Sequence, residues 1–131
     1  MAYVSRGFIP QTSLAANLGF TRPMYIPAGN ATATALYDIV KVSTSGSTVD
    51  TAGVPAGLMG CVRVSDKDDV PCGVIVGFIA DPDYLNQTYR SASTARVALV
   101  NYDPQVVLEA QEDGNGTTLA VARIGTPVDL V

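Results

Sequence analysis

Residues 72–83, which decide the fold, read Cys72-Gly-Val-Ile-Val-Gly-Phe-Ile-Ala-Asp-Pro-Asp83. The stretch begins with an apolar run rich in β-branched side chains, which is typical of a β-strand. The Asp-Pro-Asp that follows indicates a turn, because proline presets φ and aspartate binds nearby backbone groups. Gly73 and Gly77 lie inside the run, where glycine indicates a bulge, sharp curvature or the close approach of another backbone.

Similar short segments flank this strand along the chain. They are rich in apolar residues, some alternate with polar ones, and clusters of Asp, Asn, Gly and Pro separate them. The predicted strands are 37–42, 58–64, 72–79, 95–100, 105–111, 117–124 and 128–131. No strong amphipathic helix is indicated after residue 35. Short strands joined by such turns predict an all-β fold, a small β-barrel or sandwich over 36–131.

Residues 1–35 have a different character. They hold several prolines and glycines, no acidic residue, and apolar residues without a sustained period. This pattern predicts an extended N-terminal arm lying on its own barrel or on a neighbouring chain, and a strand-and-loop lead-in to the same domain is the alternative. If the arm hypothesis holds, deleting residues 1–26 leaves the barrel folded. The arm residues expected to contact a neighbour are Tyr3, Arg6, Phe8, Phe20, Arg22, Met24 and Tyr25.

The composition excludes several classes of function. The 131 residues are 47% hydrophobic and 15% charged, with a net charge of −4. An acidic chain without a basic cluster predicts no binding to nucleic acid or to a membrane surface. No apolar run is long enough for a transmembrane helix, and the N-terminus lacks the apolar core of a signal peptide. A small surface this poor in charge indicates that partners cover much of it.

No motif for catalysis or metal binding is found. Histidine is absent, which removes the commonest general acid–base group and metal ligand. The aspartates of the 65–69 turn lack the ligand order of a calcium-binding EF-hand loop, so a plain hairpin turn is predicted. Glu109 and Asp113 imitate a glycosidase carboxylate pair, but nothing else supports that chemistry. The sequence therefore predicts a protein that is not an enzyme and needs no cofactor.

The two cysteines, Cys61 and Cys72, are too few for a disulfide scaffold. The favoured interpretation is two buried, small apolar thiols. A disulfide is the alternative, because a hairpin of 58–64 and 72–79 centred near Lys67 would place the two cysteines roughly opposite each other.

The 72–83 stretch belongs to a longer series of motifs. The chain opens with Val4-Ser-Arg-Gly-Phe8, and after residue 83 come Tyr89-Arg-Ser-Ala-Ser-Thr-Ala-Arg96, Asp103-Pro104 and Leu108-Glu-Ala-Gln-Glu-Asp-Gly114. In this order, and over most of the chain, the series resembles a family of bacteriophage virion structural proteins of the capsid decoration, or cement, type. Family members often continue well past the Gln-Glu hairpin, whereas this sequence ends soon after it.

The resemblance implies a non-enzymatic protein that binds the outer surface of the assembled major capsid protein shell and stabilises it. Its expected location is the outer surface of the virion capsid, after assembly in the host cytoplasm. Decoration proteins occupy symmetric positions on a shell, so a homo-oligomer is expected, a trimer in preference to a dimer. The candidates for a polar rim between subunits are Asp81, Asp83, Arg90, Arg96 and Asp103, and a solvated loop is the alternative for these residues.

A tail, spike or baseplate module that binds host glycan is the alternative function. Sugar platforms usually expose Trp or Tyr, and this chain has no Trp. The candidate loop aromatics are Tyr84, Tyr89 and Tyr102.

Overall fold

The protein is an all-β molecule built on a small closed barrel. The structure, a computed structural model, describes residues 7–13, 21–44, 46–47, 56–66, 68–82, 85–110 and 124–127. The strands in chain order are β1 (Phe8–Ser13), β2 (Thr21–Ile26), β3 (Ile39–Ser43), β4 (Gly60–Arg63), β5 (Gly73–Phe78), β6 (Arg96–Asn101) and β7 (Val106–Ala110). The predicted 117–124 strand lies outside the described residues except for Ile124, which is in a turn, and the 128–131 strand lies outside them entirely.

Five strands close the barrel in the order β2-β4-β3-β5-β6, and β6 returns to β2. The β2–β4 contact is parallel and the other four pairings are antiparallel. Strands β1 and β7 form a separate antiparallel two-stranded sheet, named here the ribbon. The barrel is therefore made by β2 to β6, and both terminal strands of the described chain lie outside it.

The core of the barrel comes from side chains that point inward at alternate positions. Small, β-branched and sulfur-containing residues fill it, as expected for a five-stranded barrel with little interior space. The buried cluster consists of Met24, Ile26, Val40, Cys61, Ile75, Ala98 and Val100.

Strand β2 corrects the prediction of an arm over 1–35. It lies between β4 and β6, and Met24 and Ile26 are fully buried in the chain's own core. Pro23 is tolerated because β4 reaches β2 only at Tyr25, so the proline faces one neighbouring strand. The prediction that deleting residues 1–26 leaves the barrel folded is consequently wrong, since the deletion removes a barrel strand.

The predicted strand positions from β3 to β7 agree with the structure to within about two residues, but two predicted relations fail. Strands β4 and β5 do not form a hairpin, because β3 lies between them and pairs with both. Strand β7 pairs with β1 rather than with a barrel strand.

Gly73 marks the close backbone approach that the sequence indicated. A methyl group on Gly73 would clash with the carbonyl oxygen of Asn101 and would lie 2.7 Å from Cγ1 of Val100. Gly77 faces a looser surface, 3.5 Å from Cδ1 of Leu99, next to the irregularity that follows Ile75 in the β5–β6 pairing. Both glycines lie on β5, but only Gly73 is required by space.

We predict that Gly73→Ala destabilises the barrel and that Gly77→Ala does not. The Gly73→Ala methyl group must displace strand β6, and overpacking of this kind costs about 1–3 kcal/mol. At Gly77 the added methyl group makes an ordinary contact, so the free energy of unfolding stays unchanged or rises slightly. Urea denaturation of both variants measures the difference. Equal stability of the two variants would contradict the close β5–β6 approach.

Candidate functional site: two buried arginines and an exposed ribbon

The loops at one end of the barrel are organised by the side chain of Arg90. Arg90 is fully buried, and its backbone forms an isolated bridge with Thr34. Its guanidinium donates hydrogen bonds to the carbonyl oxygens of Thr94 at 2.7 Å, Thr32 at 2.6 Å, Pro27 at 2.9 Å and Asn30 at 2.7 Å. One side chain thereby joins the loop after β2 to the loop before β6.

The partners of the Arg90 guanidinium are carbonyl dipoles rather than carboxylates. Burial lowers the pKa of Arg90 from its ordinary value, because desolvation disfavours the charged form. The planar fork of donors matches several carbonyl groups at once, which lysine cannot do. The arrangement therefore fixes irregular backbone that no strand holds.

Arg96 makes a second arrangement of the same kind. It is buried, and its guanidinium donates to the carbonyl oxygens of Ile79, Tyr89 and Gln87. The guanidinium carbon lies 4.9 Å from the ring centroid of Phe78, within the range of a cation–π contact. Arg96 thus connects the segment after β5 to the residues that immediately precede Arg90.

These positions correct the predicted subunit rim. Arg90 and Arg96 are buried inside their own chain, so neither is available at a rim. Asp103 is buried too, and its Oδ1 accepts a hydrogen bond from the backbone N–H of Gln105 at 2.9 Å in the turn before β7. Asp81 is half-buried, and Asp83 lies outside the described residues. The structure brings the two arginines together as loop anchors, which the sequence did not indicate.

The residues predicted to contact a neighbour through the arm are divided by the structure. Met24 is in the core, and Tyr25 is half-buried within β2. Arg22 is exposed, with its guanidinium carbon 5.6 Å from the ring centroid of Tyr102. Phe8 is half-buried on β1. Tyr3, Arg6 and Phe20 lie outside the described residues.

The ribbon differs from every barrel strand in how it is covered. None of its described side chains is buried, whereas each barrel strand has at least one buried residue. Its side chains at Phe8, Ile9 and Leu108 are half-buried, and Val107 is 45% exposed. The Gln11 side chain donates to Glu109 at 2.7 Å across the two strands. The ribbon therefore presents apolar surface in the part of the chain that the structure describes.

The ribbon joins the barrel at Gly7. The backbone N–H of Phe8 donates to the carbonyl oxygen of Tyr37 at 2.9 Å, and both Gly7 and Tyr37 have a φ of 68°. A side chain on Gly7 would meet that same carbonyl oxygen at 2.7 Å. Glycine is needed here because the chain turns in the left-handed region while pressed against another backbone.

Exposed apolar side chains also occur outside the ribbon. They lie on barrel strand β3 and on the connecting segments, so a chain of low charge also exposes apolar surface. The large ones exposed by more than a third are Leu36, Val42, Met59, Val70, Ile79, Leu85, Tyr89, Tyr102 and Ile124. Two of the loop tyrosines considered for a sugar platform, Tyr89 and Tyr102, are in this set, and Tyr84 lies outside the described residues.

The cysteines are free thiols, so the disulfide alternative is wrong. Cys61 on β4 and Cys72 just before β5 lie on opposite sides of β3. Two strand spacings separate such positions by about 9–10 Å, beyond the reach of a disulfide. Burial raises the pKa of the Cys61 thiol to about 12, with a further contribution from Cys72. Both thiols stay protonated and unreactive at neutral pH.

Asp69 holds the acidic turn through hydrogen bonds within the turn and through an ion pair with strand β3. Asp69 forms an ion pair with Lys41 at 2.6 Å and accepts the backbone N–H groups of Ser65 and Asp66 at 3.0 Å each. These contacts lower the pKa of Asp69 to about 2. Among the described residues, no group of three or more His, Cys, Asp or Glu is arranged to hold a metal ion.

Comparison with known proteins adds no relative. No family model, curated protein or solved structure is significantly similar to this chain. Within the described part of the chain, no helix is long and apolar enough to cross a membrane.

We predict that Arg90→Lys lowers the free energy of unfolding by about 3 kcal/mol or more, because buried carbonyl groups lose their donors. Arg22→Lys is the matched control, since Arg22 is exposed and its replacement changes stability by less than about 0.5 kcal/mol. Thermal and urea denaturation measure both variants. A fully stable Arg90→Lys variant would show that the Arg90 hydrogen bonds do not fix these loops.

Proposed function

We propose that this chain is a capsid decoration protein. It is not an enzyme; it binds the outer surface of the assembled major capsid protein shell of a bacteriophage and stabilises that shell. The observation that carries the proposal is the ribbon, a two-stranded sheet whose apolar side chains are covered only in part among the described residues. The resemblance of the sequence motifs to phage virion proteins supports a phage shell as the partner.

The ribbon supports this function because a two-stranded sheet is only marginally stable alone in water. Strands β1 and β7 come from opposite ends of the described chain, so closing them together also costs chain entropy. An outside surface that covers Val107 and the half-buried apolar residues stabilises the ribbon. A shell of coat protein is such a surface, and it is present in many identical copies.

The barrel suits the same role. Its closed sheet and its arginine-held loops are preorganised, which reduces the conformational entropy lost on binding. A protein that binds the assembled shell but not its dissociated or unfolded subunits stabilises the assembly by mass action. The location that this proposal implies is the outer capsid surface, after assembly in the host cytoplasm.

Self-association on the shell belongs to the same proposal. The low charge of the chain and its exposed apolar residues favour a homo-oligomer, a trimer in preference to a dimer. The contacts between subunits form on the shell, because a small interface does not hold at low concentration.

Immunogold electron microscopy of the encoding phage tests the function. An antibody raised against the purified chain is expected to label the head. Gold confined to the tail or baseplate would overturn the proposal and favour the glycan-binding alternative. Particles treated with pre-immune serum are the control.

We predict that Val107→Glu weakens binding of the chain to purified coat-protein shells at least tenfold, measured by co-sedimentation. Burying an apolar side chain of this size contributes about 1.5–3 kcal/mol, and a glutamate at the same position adds an uncompensated charge. Val42→Glu is the matched control, because Val42 is 54% exposed on barrel strand β3. Equal binding by both variants would show that the ribbon is not the contact surface.

A further inference from the structure

A groove lies beside the point where the ribbon joins the barrel. It has a volume of about 320 Å³, and its lining includes Gly7 at the ribbon, Ala35 and Leu36 on the loop before β3, and the residues Arg63 and Tyr89. The volume is at the lower end of the range for ligand sites, enough for one or two side chains of a partner. The groove is continuous with the ribbon, because Gly7 directly precedes β1.

The carboxylate of Asp38 in this groove has a structural role. Its Oδ2 accepts the backbone N–H of Ala35 at 2.9 Å and closes the turn that leads into β3. The same oxygen lies 3.8 Å from Nε of Arg63, longer than the roughly 2.7–2.9 Å of a charge-assisted hydrogen bond. The Asp38 carboxylate therefore attracts Arg63 electrostatically but accepts no hydrogen bond from the N–H groups of the Arg63 guanidinium.

The guanidinium of Arg63 is consequently available to a partner. Its side chain is 50% exposed, and it makes no hydrogen bond within the described part of the chain. Tyr89, another lining residue of the groove, is 48% exposed. A guanidinium with unused parallel donors, set beside apolar surface, is suited to a carboxylate held in two hydrogen bonds.

The groove walls are fixed before any partner arrives. Thr34 is bridged to Arg90, whose guanidinium holds the carbonyl of Thr32, and the carbonyl of Tyr89 accepts a hydrogen bond from Arg96. The two buried arginines therefore set the spacing of the walls around Arg63. Such preorganisation reduces the entropy lost on binding.

We propose that this groove binds an acidic side chain, Asp or Glu, on an extended segment of the coat protein, with Arg63 as the specificity-determining residue. The inference rests on the proposed function and deepens it, because it adds a charged contact next to the apolar ribbon. The carboxylate is held by Arg63, while the apolar lining at Ala35 and Leu36 packs the neighbouring part of the segment.

The test compares Arg63→Gln with Lys67→Gln in binding to purified coat-protein shells. Both variants remove one positive charge. The Arg63→Gln variant is expected to bind about 10- to 100-fold more weakly, with a smaller dependence on salt, whereas Lys67→Gln binds like the unaltered chain. Arg63→Lys is expected to fall between them, because it keeps the charge and loses the fork.

A second arm tests the chemistry of the partner. Shells whose surface carboxylates have been amidated with a carbodiimide are expected to bind the unaltered chain as weakly as untreated shells bind Arg63→Gln. The same treatment is expected to leave the binding of Arg63→Gln unchanged. Equal weakening of both chains would overturn the inference. Arg63→Lys, which keeps the charge and loses the fork of donors, is expected to weaken binding a few-fold and serves if Arg63→Gln fails to fold.

The failures are distinguishable. If the unaltered chain binds no shell, the proposed function and this inference both fall. If the unaltered chain binds and Arg63→Gln binds equally well, the inference alone is wrong. If Arg63→Gln binds shells as the unaltered chain does, but phage carrying this variant no longer adsorb to host cells, the inference is also overturned. The groove is then assigned to a surface glycan.

Discussion

The burial of Arg90 is the constraint on which the irregular half of the molecule depends. The barrel strands are held by their own ladders, but the loops around residues 27–36 and 85–95 have no ladder to hold them. A guanidinium donating to four carbonyl groups takes the place of that ladder. Apolar residues of similar size would fill the space without specifying a loop conformation. Burying the charge of Arg90 costs free energy, but its hydrogen bonds give the loops one defined surface.

That defined surface lies beside a part of the molecule of the opposite character. The ribbon is attached at Gly7 and Phe8, makes no pairing with a barrel strand, and contains no buried residue among those described. Such a protein can orient itself on a partner with the rigid loops. The weakly covered ribbon then adds contact area. The proposed role at a capsid surface uses both.

The sequence predicted the strands well and their partners poorly. Runs such as 72–79 and 95–100 reveal strands because β-branched composition and flanking turns are local signals. The insertion of β3 between β4 and β5 depends on pairing between distant segments, which leaves no mark on either run. Strand β2 escaped notice because Pro23 interrupts it and only Met24 and Ile26 point inward.

The candidate site was harder to predict than the fold. Charged residues are usually exposed, which favours a rim between subunits for Arg90 and Arg96. Nothing in the spacing of these residues indicates burial. The absence of acidic residues from 1–35 was the one available signal, since a loop without carboxylates offers an arginine only carbonyl groups. Which residues surround Arg63 depends on the loop conformation, which no sequence pattern specifies.

The closure of the barrel by β2 and β6, and of the ribbon by β1 and β7, has a consequence for how the chain folds. Each closing pair joins a segment near the start of the chain to one near residue 100; Gln11 and Glu109, in contact across the ribbon, are 98 positions apart. Contacts of such high contact order fold slowly, because the entropy of a long loop is lost before any native pairing compensates for it. On the ribosome, β2 waits with an unpaired edge until β6 emerges. That edge is a site at which nascent chains can associate before synthesis is complete.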